Sequence, residues 1–226
     1  MKNPASLIDH TLLAPTTTET ELVRLCEEAV EYGFASVCVP PVFVPMVARS
    51  LYGSDVKVCS VVGFPLGYAG SRSKVQETAD LIACGAEEID MVVQIGALLS
   101  GHFSAVEEEI AQVVICAKQQ PVKVIIECCY LSRELKQIAT ELVIRAGAAF
   151  VKTSTGFGPS GAIVDDVMLL AEIASGRIGV KAAGGIRTFA DCLRFTEAGA
   201  TRIGTSSGVA IMNEWRSREL SQYVNV

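Results

Sequence analysis

Short apolar runs alternate along this chain with longer segments in which apolar residues recur at helical spacing. The short runs are predicted to form eight strands, and they lie within residues 1–15, 35–39, 57–64, 88–93, 122–128, 149–154, 178–183 and 201–204. Most are almost continuously apolar, which is typical of parallel strands covered on both faces. Their alternation with helices predicts a single α/β domain, a (β/α)8 TIM barrel spanning residues 1–226.

Residues at the predicted helix ends agree with this plan. Thr18 and Glu21 form a capping-box pattern ahead of apolar residues at helical spacing, and Gly33 follows where that helix should end. Ser104 and Glu107 repeat the pattern, which predicts a second capping box.

A doubly wound open sheet is the main competing architecture. Such sheets usually carry a GxGxxG turn after the first strand, and this chain has none there. The 226 residues, half of them apolar, also suit one large barrel better than two small domains.

Charge and cysteine usage narrow the range of partners. The net charge is −6 with acids and bases interspersed, so neither nucleic acid nor a membrane surface is an expected partner. The eight cysteines show no paired CxxC spacing. His10 and His102 lack acidic neighbours at ligand spacing, so no metal site is expected. Reduced cysteines, with no apolar leader and no run of about 18 apolar residues, predict a cytoplasmic protein.

Two lysines interrupt predicted strands, where a buried ammonium group would be costly. Lys152 lies in the run at 149–154 and Lys181 in the run at 178–183, and each is followed closely by glycine. Asp90 lies two strands before Lys152. Because side chains alternate along a strand, all three can point at the barrel axis, near the mouth where active sites of such barrels lie.

This arrangement predicts Schiff-base chemistry. Two amines in a dry site repel each other, and this repulsion together with burial should lower the pKa of at least one of them. A neutral lysine can attack a carbonyl to form an imine, and Asp90 is the candidate for moving protons. Two simpler interpretations stay open: the lysines could be solvated rim residues, and Asp90 could form a structural salt bridge.

Glycines and hydroxyl residues after the last two predicted strands indicate a phosphate site. They are Gly184, Gly185, Gly204, Ser206 and Ser207. Backbone N–H groups would converge there near a helix N-terminus, where barrels commonly bind phosphate. The alternative is a tight strand-to-helix turn that needs glycine and a serine cap.

Seven segments together resemble the deoxyribose-phosphate aldolases. They are IDHTLL (8–13), VVGFPLG (61–67), EIDMVVQIGAL (88–98), KVIIE (123–127), FVKTSTGF (150–157), VKAAGGIRT (180–188) and RIGTSSG (202–208). The resemblance covers nearly the whole chain. It implies a class I aldolase, without a cofactor, that reversibly cleaves 2-deoxy-D-ribose 5-phosphate into acetaldehyde and D-glyceraldehyde 3-phosphate in deoxyribose phosphate catabolism.

The resemblance also implies roles for individual residues. Lys152 would form the Schiff base, Lys181 would perturb it, and Asp90 would relay protons. The substrate-binding residues would be Thr155, Gly156, Gly184, Gly185, Gly204, Ser206 and Ser207. A homo-oligomer, dimeric or larger, is implied as well.

Four positions depart from the usual family pattern: Pro40, Gln94, Cys128 and Phe157. Phe157 stands where one branch has lysine, which implies that backbone groups and serines hold most of the phosphate. Two other functions remain alternatives to this reading. One is a Schiff-base aldolase for a different phosphorylated sugar, and the other is a catalytically silent barrel that binds sugar phosphates as a regulator.

Overall fold

In the computed structural model, which describes residues 3–224, eight parallel strands form a closed barrel. The strands are β1 (Ile8–Thr11), β2 (Ser36–Val39), β3 (Lys57–Val62), β4 (Glu88–Val92), β5 (Val122–Ile125), β6 (Phe150–Lys152), β7 (Gly179–Ala183) and β8 (Arg202–Thr205). Each pairs with the next, and β8 closes the barrel on β1 through the pair Ile203 and Ile8. The predicted (β/α)8 barrel is therefore confirmed.

Nine α-helices are assigned in the described part of the chain. They are α1 (Glu19–Tyr32), α2 (Val44–Ser50), α3 (Ser71–Ala83), α4 (Ile95–Leu99), α5 (Phe103–Ala117), α6 (Arg133–Arg145), α7 (Val164–Ala174), α8 (Phe189–Glu197) and α9 (Gly208–Val224). Within residues 3–224 no helix is long and apolar enough to cross a membrane.

The helix-start predictions had mixed outcomes. The capping box of Thr18 and Glu21 is present at α1. The one predicted at Ser104 is wrong, because α5 already begins at Phe103 and its N-cap, His102, makes no side-chain capping bond. Helix α4 was not predicted, since five residues are too few to show helical periodicity.

Apolar side chains fill the space between the strands and the helices, whereas the barrel interior contains charge. Val151, between Phe150 and Lys152, is fully buried in the main apolar cluster. Gly179 makes room for Phe150, since a Cβ at Gly179 would lie 2.2 Å from that ring. The ring of Phe150 on β6 thus packs against the position on β7 where Gly179 has no side chain.

Candidate active site

Asp90 is the centre of the charged interior. Its Oδ2 lies 2.6 Å from the Nζ of Lys152 and 2.7 Å from the Nζ of Lys181. Its Oδ1 lies 2.9 Å from the Nζ of Lys123. Asp90 and Lys181 are fully buried, and Lys152 is 3% exposed. The structure therefore brings together the three residues predicted to carry the chemistry.

A second layer of charge lies against this centre and was missed from the sequence. Asp9 contacts Lys181 at 2.5 Å and Arg202 at 2.6 Å. Glu88 contacts Lys123 at 2.6 Å and Arg202 at 3.1 Å. The signal was present, since each is a charged residue inside a predicted strand, but alternation alone does not show which strands face each other across the barrel.

Contacts between opposite charges outweigh burial in setting the pKa values of this network. Burial opposes ionisation of Asp90, but Lys123, Lys152 and Lys181 hold its pKa well below the usual value. Burial likewise opposes the charge on Lys181, yet Asp9 and Asp90 raise the pKa of that lysine. The pKa of Lys123 is also raised, because Asp90 and other acidic neighbours overcome its burial.

Repulsion between two amines does not set the charge of Lys181, contrary to the prediction from the sequence. Lys152 and Lys181 both contact Oδ2 of Asp90, and Lys181 also contacts Asp9, so carboxylates screen the two amines from each other. The pKa of Lys181 is raised rather than lowered. Lys181 is therefore a buried ammonium, not a second candidate for the neutral amine.

The cluster nevertheless holds an excess of positive charge. Lys123, Lys152, Lys181 and Arg202 are four cations, and they face the three carboxylates of Asp9, Glu88 and Asp90. Within residues 3–224, Asp90 is the one carboxylate that contacts Lys152, and Asp90 also contacts Lys123 and Lys181.

Lys152 lies at a cavity of about 450 Å³ that opens at the mouth of the barrel. The lining includes six of the seven residues predicted to bind substrate, namely Thr155, Gly156, Gly184, Gly185, Gly204 and Ser206. Ser207, the seventh, is absent from the lining, and its backbone N–H already donates to the Oγ of Thr205 at 2.9 Å. Gly204 also makes space for Lys181, since a Cβ there would lie 3.1 Å from its Cε.

One end of this cavity has the features of an anion site. Gly184 and Gly185 adopt φ values of +93° and +80°, which glycine tolerates best. Gly208 begins α9 directly after the loop that lines the cavity. Arg187, which was not singled out from the sequence, is exposed and lines the same cavity, so a cation is available there.

Two other features could be mistaken for functional sites. Cys38, Cys59 and Asp90 have donor atoms within 4.8 Å of one another and could in principle hold a metal. Asp90 is already engaged by three lysines, which repel a cation. A more open groove of about 740 Å³ runs along α3 on the outside of the barrel, and Lys152 is not among its lining residues.

The sequence is similar to several known aldolases. The family model described as DeoC/LacD family aldolase matches residues 5–214. A deoxyribose-phosphate aldolase of Caldanaerobacter subterraneus subsp. tengcongensis is 51% identical over 223 residues, covering 97% of this chain and 96% of the relative. One of Deinococcus radiodurans is 53% identical, covering 92% of this chain and 95% of the relative.

Solved structures agree with the sequence matches. QR15, described as an aldolase, superposes with a TM-score of 0.93 at 40% identity, covering 97% of this chain and 99% of that one. The deoxyribose phosphate aldolase of Aeropyrum pernix, described as having a unique tetrameric structure, gives a TM-score of 0.88 at 38% identity. It covers 95% of this chain and 91% of that one.

Proposed function

This chain belongs to the DeoC/LacD aldolase family, and on that basis we propose that it cleaves 2-deoxy-D-ribose 5-phosphate into acetaldehyde and D-glyceraldehyde 3-phosphate. The reaction is reversible and proceeds through a Schiff base on Lys152, with deoxyribose phosphate catabolism as its context. The proposal rests on one observation. Lys152 reaches the cavity, and its Nζ contacts the carboxylate of Asp90, whose pKa is held well below the usual value.

In the proposed reaction the neutral Nζ of Lys152 attacks C1 of the open-chain sugar, and loss of water gives a protonated imine. A base removes the proton of the C3 hydroxyl, the C2–C3 bond breaks, and its electron pair moves toward the imine nitrogen. This releases D-glyceraldehyde 3-phosphate and leaves an enamine. Protonation of the enamine at C2, followed by hydrolysis, releases acetaldehyde and restores the lysine.

Asp90 and Lys181 have complementary parts in this scheme. Because the pKa of Asp90 is held so low, its carboxylate does not stay protonated. Asp90 therefore acts as a proton relay. Lys181 shares Oδ2 of Asp90 with Lys152, so it offsets part of the Asp90 charge that would otherwise act on Lys152. Strands β4 and β7 of the barrel fix the positions of Asp90 and Lys181.

The phosphate is proposed to bind at the other end of the cavity. Backbone groups of Gly184, Gly185 and Gly204 and the hydroxyl of Ser206 would contact it, and Arg187 would supply the positive charge. The expected role of Ser207 is restricted to its side chain, because its N–H is engaged by Thr205. We also propose a homo-oligomer, which the tetrameric relative from Aeropyrum pernix supports.

Reductive trapping tests the proposed function directly. Borohydride in the presence of acetaldehyde should add one ethyl group per chain, and peptide mapping should locate it on Lys152. Lys152→Ala should lose both the adduct and turnover of 2-deoxyribose 5-phosphate, whereas Lys57→Ala, at a half-exposed lysine, should retain both. Stabilisation by the sugar phosphate with no adduct would instead favour a binding protein, and adduct formation without turnover would favour another sugar phosphate.

A further inference from the structure

Glu127 is a buried carboxylate at the mouth of the barrel that the proposed reaction does not use. It is 2% exposed and follows β5 in a left-handed conformation, with φ +52° and ψ +67°. That conformation is unfavourable for a residue other than glycine. In the described part of the chain its carboxylate has no cationic partner, so hydrogen bonds must account for its burial.

Those hydrogen bonds come mainly from one residue, Thr155. The backbone N–H of Thr155 donates to both carboxylate oxygens, at 3.2 and 3.3 Å, and its hydroxyl makes a short hydrogen bond to Oε2. The thiol of Cys129 lies farther away, 3.9 Å from Oε1. Glu127 also packs close to Gly158, since a Cβ at that glycine would lie 3.2 Å from its Cδ.

The hydroxyl of Thr155 is almost fully used by these contacts. A hydroxyl has one hydrogen to donate and two lone pairs with which to accept. Its hydrogen goes to Oε2 of Glu127, and one lone pair receives the backbone N–H of Phe157 at 3.0 Å. One lone pair is left, and Thr155 lines the cavity beside Lys152. Toward a ligand, Thr155 can then accept a hydrogen bond but cannot donate one.

We propose that Glu127 is a positioning residue that determines specificity: it holds Thr155 as an obligate acceptor, so the site selects a ligand that presents a hydroxyl at that point. The inference rests on the proposed function, in which a hydroxylated aldehyde occupies this cavity. A ligand carbon without the hydroxyl leaves the remaining lone pair without a partner, and unpaired buried polar groups are how enzymes reject deoxygenated analogues.

The test compares two acceptor aldehydes in the synthetic direction, with acetaldehyde as donor. Lactaldehyde and 2-methoxypropanal differ only in that a methyl group replaces the hydroxyl hydrogen, so the ratio of their kcat/KM values reports the preference for a hydroxyl that can donate. Glu127→Gln can donate from its amide to Thr155, which releases the hydroxyl hydrogen and reverses its polarity. That ratio is expected to fall on the order of tenfold in Glu127→Gln and in Thr155→Val.

Further variants separate this role from a merely structural one. Glu127→Gln should change the ratio little once Thr155→Val is present, because both act through one hydroxyl. Thr155→Ser keeps the hydroxyl and should keep the wild-type preference. Cys129→Ser, at a residue that also touches Glu127, should not alter the ratio.

The possible outcomes are distinguishable. An unchanged lactaldehyde preference in Glu127→Gln or in Thr155→Val, with acetaldehyde still trapped on Lys152, would overturn the role of Glu127 and leave the proposed function intact. Failure of trapping in the wild-type chain would count against the proposed function instead. Should Glu127→Gln not fold, Glu127→Asp takes its place, because the shorter side chain withdraws the carboxylate from the hydroxyl of Thr155, and an unchanged ratio in that variant would overturn the role of Glu127.

Discussion

Lys152 and Lys181 are direct register partners on β6 and β7, and their amines lie 2.6 and 2.7 Å from the same oxygen of Asp90. The two lysines are thus a bridged pair rather than a simply repelling one. Lys181 is buried as an ammonium between Asp90 and Asp9, while Lys152 reaches the cavity and, among the described residues, contacts no carboxylate besides Asp90. The difference between the two lysines follows from their carboxylate partners.

Lys181→Met should slow the reaction by at least about a hundredfold near neutral pH, in the range typical of lost proton-transfer groups. Without Lys181, Oδ2 of Asp90 loses one of the two amines that share it, so its charge acts on Lys152, the amine that must attack the aldehyde. Steady-state kcat/KM values for the variant and the wild-type chain measure the loss. Equal values for the two proteins would contradict this account.

Asp90→Asn should abolish turnover and destabilise the fold by about 3 kcal/mol or more, because three buried lysines lose a shared counter-charge. Thermal unfolding and steady-state rates measure the two effects. The matched control is Glu141→Gln, at an exposed pair with Arg177. Exposed pairs contribute at most about 1 kcal/mol, so that control should be nearly neutral. Equal melting temperatures for the two variants would show that the network does not stabilise the barrel.

Gly161→Ala should distort the cavity from outside its lining. A Cβ at Gly161 would lie 2.2 Å from the carbonyl oxygen of Gly184, so one of the two loops must move. Overpacking of this kind costs about 1–3 kcal/mol, and the displaced Gly184 should raise KM for the phosphorylated substrate several-fold. Gly96→Ala is the control, since its Cβ would meet nothing within 4 Å. An unaltered KM in Gly161→Ala would argue against phosphate binding at Gly184.

His10→Gln should reduce the loss of stability on mild acidification. Burial lowers the pKa of His10, although Glu28, 2.8 Å away, partly offsets this. The unfolded chain therefore takes up a proton that the folded chain resists, so stability is lost as pH falls below about 6.5. Glutamine keeps a donor for Glu28 and does not titrate in this range. The melting temperature should drop less from pH 7.5 to 5 in His10→Gln than in the wild-type chain or in His102→Gln. Equal drops in all three would rule out His10 as the source.

Much of this architecture was predictable because its signals are local. A strand covered on both faces must be almost wholly apolar, so Val151 and its neighbours identify β6, and glycine at Gly33 marks the end of α1. A lysine at position 152 stands out against such a background. Local rules failed where an element was too short for periodicity, as at Ile95–Leu99, and where a capping pattern lies inside a helix, as at Ser104 in α5.

The sequence by itself determined the barrel, the exceptional position of Lys152, Lys181 and Asp90 within it, and most of the cavity lining. Only the tertiary structure decided how charge is shared among those residues. Asp9 and Asp90 are far apart along the chain and on non-adjacent strands, yet both contact Lys181 across the interior. Coulomb energy depends on distance in space and on the local dielectric, not on separation in sequence. The raised pKa of Lys181 therefore follows from the closed barrel and not from the sequence pattern.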